Sequence, residues 1–393
     1  MHVRSTGRLS LLLVGILSLA AVISPGVAAQ AREGSIAARD RSSAGGLLLR
    51  VVETDLMQPW SLAPLPGGGA LVTERGGRLW FLDSLLPGEG GRRSVTGLPE
   101  VHPVGQGGLL DVVLDPDFDA EGWVYLSYAA RSGRGFATEV ARGWLSGLPG
   151  RPQLSRVQTL FTLNRPVQGG RHFGSRLVFD REGQLYITIG DRGEPEQSQN
   201  AGSHQGTVVR INSDGSIPAN NPRISGGAPG IFSWGHRNPQ GAARNPRTGD
   251  IWVHEHGPRG GDEINILQAG ANYGWPRLTF GVAYSGRTIS EETSLPGFAD
   301  PLLHWTPSIA PSGMAFVTSR RYGDINGDLL VGALVQQHIR RVELDADERV
   351  VGQEVLFSGF NRIRDVRQAA DGFIYVLTDD REGAIYRLEL EER

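Results

Sequence analysis

The sequence contains neither cysteine nor lysine, and these two absences exclude several kinds of chemistry. Without cysteine there are no thiolate nucleophiles, iron–sulfur clusters, cysteine zinc sites or disulfides. All 39 basic residues are arginine. Guanidinium does not deprotonate in proteins, so Schiff-base chemistry has no amine to use. Pyridoxal-phosphate enzymes and Walker-type phosphate loops, which both need lysine, are therefore excluded.

The chain also lacks a large excess of positive or negative charge, since its formal net charge is -3. The chain therefore has no electrostatic footprint for nucleic acid, and no basic run marks a membrane-surface patch. Glycine is abundant instead, with 55 residues spread through the 393-residue chain together with 23 prolines. This distribution predicts many turns in a folded chain rather than a disordered tract.

The N-terminus has the pattern of an export signal. Arg4 and Arg8 precede an apolar run over 9–23, which is shorter than the ~18 residues of a spanning helix. We predict a signal peptide over 1–29 and a flexible, small and polar leader over 30–46. A retained membrane anchor is the alternative. Cleavage would leave a periplasmic or secreted protein without a membrane insertion.

A turn followed by an alternating apolar run occurs six times, which is typical of hairpin starts. The spacing fits four-stranded blades with variable loops. We therefore predict an all-β fold, a six-bladed β-propeller of four-stranded antiparallel blades over residues 47–393; a pair of β-sandwiches is the alternative. The glycines of the six turns are Gly68, Gly122, Gly183, Gly249, Gly327 and Gly372.

Four segments, rich in glycine and in polar side chains, carry a family resemblance. They are 105–111, 171–180 leading to 186–193, 235–241 leading to 256–265, and 272–276. In this order they resemble the soluble pyrroloquinoline quinone (PQQ)-dependent glucose/sorbosone dehydrogenase family, in its aldose sugar dehydrogenase branch. The resemblance spans about residues 48–390 and implies the same six-bladed propeller.

The resemblance also implies a function. Members bind PQQ and Ca²⁺ and oxidise the C1 hydroxyl of an aldose to a lactone, and an unidentified acceptor would then take the electrons. His172 matches the family base that removes the hydroxyl proton. A histidine suits this task because its pKa lies near neutrality.

Polar side chains at four positions match family residues at the cofactor. Gln106, Asn238 and Gln240 carry neutral amides that can hydrogen-bond quinone oxygens without adding charge. Ser308 lies in the weaker match over 307–314. The resemblance therefore places all four in the cofactor site.

Two arginines match the family arginines at the quinone. Arg362 and Arg364 lie two apart on a predicted strand, so both side chains face one side. Planar guanidinium groups suit the carboxylates of a tricarboxylate quinone. Arg364 is also assigned to the catalytic set, beside the base.

Two calcium sites follow from the resemblance alone. Gly257 and Pro258 match the backbone carbonyls that hold the catalytic ion, and hard calcium ions accept such oxygens. Glu263 and Tyr273 match a second, structural calcium site.

Two departures from the family pattern change the charge of the expected site. Val335 stands where the family has a lysine that contacts the quinone, and Arg192 stands where it has an amide. We predict that Arg192 contributes to quinone binding together with the arginine pair. The alternative functions are a non-catalytic ligand-binding propeller and a calcium-dependent propeller hydrolase or lactonase.

Overall fold

The computed structural model describes residues 32–391, whose regular structure is almost entirely β-strand. The strands form six antiparallel sheets, five with four strands and one with five. The signal peptide predicted over 1–29 lies outside the described residues. Within 32–391, no helix has the length and hydropathy needed to cross a bilayer.

The blades follow one another around the ring in chain order. Two strands precede the first blade, β1 (Ile36–Ser42) and β2 (Gly45–Leu56). Blade one contains β3 (Pro59–Pro64), β4 (Ala70–Glu74), β5 (Arg78–Leu82) and β6 (Arg92–Ser94). Blade two contains β7 (Leu109–Leu114), β8 (Trp123–Ser132), β9 (Gly135–Ser146) and β10 (Gln153–Thr162). Blade three contains β11 (Leu177–Phe179), β12 (Gln184–Ile189), β13 (Thr207–Asn212) and β14 (Ile231–Trp234).

The second half of the ring continues the pattern. Blade four contains β15 (Pro239–Arg244), β16 (Ile251–Glu255), β17 (Asp262–Ile266) and β18 (Leu303–Trp305). Blade five contains β19 (Pro311–Phe316), β20 (Leu329–Ala333), β21 (His338–Leu344) and β22 (Val350–Leu356). Blade six contains β23 (Ile363–Gln368), β24 (Ile374–Thr378) and β25 (Gly383–Leu390). The described helices are α1 (Phe118–Glu121) and two 3-10 segments, Pro195–Gln199 and Arg320–Ile325.

The six glycine turns predicted from the sequence each join the first and second strands of a blade. All six glycines have positive φ angles, between 62° and 104°, where a side chain would be strained. The first strand of each blade contacts the first strand of the next, and β23 contacts β3. The ring is therefore closed around one axis, which confirms the six-bladed β-propeller and excludes the pair of β-sandwiches.

The hydrophobic core lies between neighbouring blades. The second strands β4, β16, β20 and β24 are buried along their whole length, because blades cover both of their faces. Between blades one and two, for example, Leu71 and Leu79 pack with Leu109 and Leu126. This packing leaves the axis to polar groups from the first strands.

The last blade is built from both ends of the chain. β2 pairs with β25 as the fourth strand of blade six, and β1 pairs with β2 as a fifth. The flexible leader predicted over 30–46 is therefore wrong for 36–46. Its small polar residues do not show the apolar alternation of a strand, yet β1 pairs with β2 through its backbone. In the turn between the two strands, the N–H of Ser43 donates to Glu354 at 2.8 Å. The propeller thus begins before residue 47.

Candidate active site

A cleft of about 220 Å³ lies on the axis of the ring. Every blade contributes to its walls from its first strand or from the residues that enter that strand. One lining residue from each blade, in order, is Trp60, Leu110, Phe173, Asn238, Ala310 and Arg364. A single site therefore draws on residues that are far apart in sequence.

His172 lies beside this cleft, in contact with residues that line it. Its backbone N–H donates to Oε1 of Gln106 at 2.8 Å, and the adjacent Phe173 also lines the cleft. The backbone at His172 is left-handed, with φ of 50°. The ring nitrogen Nδ1 lies 2.6 Å from Oδ1 of Asp191. A strained backbone at a residue whose ring is also bound by a carboxylate is typical of functional sites.

Asp191 was not predicted from the sequence, although it follows Gly190 within the segment 186–193. Its second oxygen accepts the indole N–H of Trp275 at 2.9 Å. Burial raises the pKa of Asp191, but the hydrogen bond and the charge of His172 outweigh it and lower the pKa below its ordinary value. An ionised Asp191 keeps the proton on Nδ1 of His172, which leaves Nε2 as the acceptor.

Arg362 and Arg364 converge on one carboxylate, as their spacing predicts. Each donates to Oδ2 of Asp379 at 2.9 Å. Burial alone would raise the pKa of Asp379, but the two guanidinium groups lower it to about 2. The Nε atom of Arg364 is buried without a hydrogen-bond partner among the described residues. The cleft therefore contains a guanidinium whose donors are only partly used.

The two amide residues of the fourth blade also line the cleft. Oδ1 of Asn238 accepts the N–H of Gly174 at 3.2 Å. Nε2 of Gln240 donates to the carbonyl of Gly174 at 3.0 Å, and its Oε1 lies 3.5 Å from NH1 of Arg364. Gln240 thus connects the loop after His172 with Arg364, and Asn238 contacts the same loop.

A buried ionic network lies beneath these residues. Arg176 contacts Asp111 at 3.3 Å and Asp365 at 3.0 Å, and Arg367 contacts the same two carboxylates at 2.8 and 2.9 Å. The Arg176 guanidinium also donates to the carbonyls of Gln240, at 2.8 Å, and of Arg364, at 3.2 Å. Arg176 therefore positions the backbone of two cleft residues.

A family model described as glucose/sorbosone dehydrogenase matches residues 56–387. The chain belongs to this family. The aldose sugar dehydrogenase YliI of Escherichia coli strain K12 is 41% identical to it over 349 residues, covering 86% of this chain and 92% of the relative.

Two solved structures extend this similarity. The apo form of the soluble aldose sugar dehydrogenase from Escherichia coli is 38% identical, with a TM-score of 0.83, and covers 88% of this chain and 100% of its own. The PQQ-bound form of the aldose sugar dehydrogenase from Streptomyces coelicolor is 27% identical, with a TM-score of 0.74, and covers 90% of this chain and 100% of its own.

Arg192, expected at the cofactor of this glucose/sorbosone dehydrogenase family member, does not line the cleft. Its guanidinium donates to the carbonyls of Gly169, at 3.0 Å, and of Arg171, and lies 3.4 Å from the ring centroid of Phe173. Burial lowers the pKa of Arg192 to about 9. Two of its guanidinium nitrogens thus donate to loop carbonyls, and its contribution to quinone binding stays a prediction.

Ser308 likewise does not line the cleft. Its hydroxyl lies 2.7 Å from Oδ2 of Asp262, and the same carboxylate accepts the N–H groups of Ile309 and Ala310. The N–H of Gly257 donates to the other oxygen at 2.8 Å. Ser308 therefore helps to join two loops, and its assignment as a cofactor ligand stays a prediction.

A second, smaller cavity of about 10 Å³ adjoins the cleft, and His256 lines both. Gly257, Glu263 and Tyr273 of the predicted calcium sites line this cavity, whereas Pro258 does not. Burial, and then the charge of Glu255, raises the pKa of Glu263 well above its ordinary value. A bound cation offsets the repulsion between the carboxylates of Glu255 and Glu263, so these residues fit calcium.

The side chains around this cavity refine the fit. Oδ1 of Asn265, next to the carboxylates, is buried without a donor among the described residues. The hydroxyl of Tyr273 donates to the carbonyl of Ile266 at 2.6 Å and accepts from Gln268, so the phenol is already engaged. Any contribution of Tyr273 to calcium therefore falls to its backbone carbonyl.

Proposed function

We propose that the protein is a PQQ- and calcium-dependent aldose sugar dehydrogenase that oxidises the C1 hydroxyl of an aldose to a lactone. The observation that carries the proposal is the placement of a carboxylate-oriented histidine and of an arginine pair at one axial cleft. Family membership and the PQQ-bound relative from Streptomyces coelicolor support the same function.

His172 is the proposed base for the hydroxyl proton. With Nδ1–H donated to Asp191, the free Nε2 accepts the proton from the C1 hydroxyl. The negative charge of Asp191 then stabilises the imidazolium that forms. The contact between Gln106 and the His172 backbone holds the ring at the cleft while the proton moves.

The cofactor would be held by groups on the opposite wall. Arg362 and Arg364 would bind its carboxylates, while Asn238 and Gln240 would hydrogen-bond its other oxygens. When bound, PQQ supplies the two-electron acceptor, and calcium polarises it as a Lewis acid.

The calcium positions remain those predicted from the resemblance. Gly257 and Pro258 would hold the catalytic ion through backbone carbonyls, and Glu263 and Tyr273 a second ion. We further propose that the enzyme acts in the periplasm or outside the cell, after removal of residues 1–29, and passes its electrons to an acceptor that the sequence does not identify.

The test is an absorbance titration of the purified protein with PQQ and calcium, followed by addition of an aldose. We expect a saturable spectrum of bound quinone that changes to the reduced form with sugar. In His172→Ala the quinone should still bind, while its reduction slows by ~10²–10⁴-fold. A protein that binds no quinone, or whose bound quinone is unchanged by sugars, would be a ligand-binding propeller instead.

A further inference from the structure

Arg75 is a third arginine in the cleft and was not predicted from the sequence. It follows directly on Glu74, the last residue of β4, in the turn that leads to β5. Its side chain lines the same cleft as Arg362 and Arg364. Its backbone is held on both sides, since its N–H donates to Gln58 at 3.1 Å and its carbonyl accepts from Leu109 at 3.2 Å.

The guanidinium of Arg75, unlike its backbone, has no protein partner among the described residues. Over residues 32–391 it makes neither a hydrogen bond nor an ion pair. The nearby Arg78, by contrast, has the surroundings of an ordinary surface arginine: it pairs with Glu74 at 2.8 Å and is half exposed. Arg362 and Arg364 also have a partner, the shared Asp379. Arg75 therefore presents unused donors to the cleft.

The charges in the cleft do not balance. Three guanidinium groups face the single carboxylate of Asp379. Burial lowers the pKa of Arg75; Asp379 opposes this, while Arg364 and Arg362 lower it further. Like charges held together in a cleft cost stability, and an anion bound between them removes that cost.

We propose that Arg75 is the third cationic contact for the carboxylates of PQQ in this chain, an inference that rests on the proposed function. The family resemblance expects a lysine at position 335, but Val335 lines the cleft instead and supplies no charge. Arg192 does not line the cleft, and two of its guanidinium nitrogens already donate to loop carbonyls. Arg75 is then the one guanidinium lining the cleft, among the described residues, that has no protein partner.

The test compares Arg75→Gln with Arg78→Gln, a matched loss of one charge outside the cleft. The dissociation constant of PQQ is measured by absorbance titration of the calcium-loaded apoprotein. We expect Arg75→Gln to bind PQQ ~10–100-fold more weakly, the loss of one charge-assisted hydrogen bond. Arg78→Gln should match the wild type, and Arg75→Lys should retain part of the affinity because it keeps the charge.

A second readout separates binding from a structural role. Removing one of three crowded cations should leave the unfolding temperature of the apoprotein unchanged or raise it. The rise in that temperature on adding PQQ should be smaller in Arg75→Gln than in the wild type. A destabilised apoprotein with an undiminished rise would assign Arg75 to the fold and reject the proposal.

The affinity measurements also distinguish this proposal from the function on which it rests. A wild-type protein that fails to bind PQQ rejects the proposed function, and the role of Arg75 falls with it. Normal PQQ binding by both wild type and Arg75→Gln rejects the role of Arg75 alone. An equal loss in Arg78→Gln also rejects it, because it would show a general effect of net charge.

Discussion

The Nδ1 atom of His172 lies 2.6 Å from Oδ1 of Asp191, and this contact occupies one of the two ring nitrogens. Asp191 is fixed in turn by the indole of Trp275 and by the N–H of Gly193, at 2.9 and 2.7 Å. The proposed base therefore belongs to a chain of contacts. Substitution of Asp191 should therefore impair the function of His172 while leaving its imidazole in place.

Asp191→Asn should lower the rate of quinone reduction by ~10²-fold or more, because an amide can stabilise the wrong tautomer of His172 and no longer stabilises its charged form. Stopped-flow absorbance of the PQQ-loaded variant would measure this step. The affinity for PQQ should change little, since Asp191 does not line the cleft. A reduction rate within about threefold of the wild type would show that Asp191 does not orient the base.

Arg192→Gln should affect the His172 loop more than the quinone. Without the guanidinium, the carbonyls of Gly169 and Arg171 lose their donor, at a cost of about 1–3 kcal/mol in the free energy of unfolding. Denaturant unfolding of the apoprotein measures this, with the exposed Arg171→Gln as control. If Arg192→Gln instead bound PQQ ~10-fold or more weakly at normal stability, the original expectation from the sequence would stand.

Removal of calcium should abolish sugar oxidation and lower the unfolding temperature, since an ion bound only to the folded state stabilises it. Adding calcium and PQQ back should restore both. Glu263→Gln should weaken the calcium-dependent rise in unfolding temperature, whereas Glu291→Gln on the surface should not. Full activity in excess chelator, in protein that contains no calcium by metal analysis, would exclude the ion from the reaction.

The ion pairs of Asp379 should make the free energy of unfolding depend on pH. The pKa of Asp379 is lowered from 3.8 to about 2 in the folded protein, so the carboxylate stabilises the fold above about pH 4. This contribution, about 2 kcal/mol, is lost as the pH falls from about 4 towards 2. The free-energy difference between wild-type and Asp379→Asn apoproteins should shrink over that interval. A difference that is constant with pH would contradict the assignment.

The sequence was sufficient to predict the propeller because each blade repeats one local requirement. A glycine with positive φ is needed where the first strand turns into the second, and this requirement is visible at Gly68 as well as at Gly372. The strand β1 was missed for the opposite reason. Its residues pack weakly, and its pairing with β2 depends on backbone groups that composition does not reveal.

The candidate site was predictable only where spacing or a motif carried the information. Arg362 and Arg364 lie two apart, so their convergence follows from strand geometry, but their partner Asp379 comes from the end of another strand. Arg75 and Arg192 are both single arginines in turns. Only the fold reveals that the first lines the cleft and that the second serves a loop.

The pairing of β2 with β25 joins residues as distant as Leu47 and Leu390. Blade six is therefore completed only after β25 has been synthesised. Bringing such distant segments together has a large loop-closure entropy, so the step is slow compared with the formation of a hairpin within one blade. The strand β2 therefore gains its partner only after β25 has been synthesised, and the axial cleft is complete only after Arg362, Arg364 and Asp379 have joined the fold.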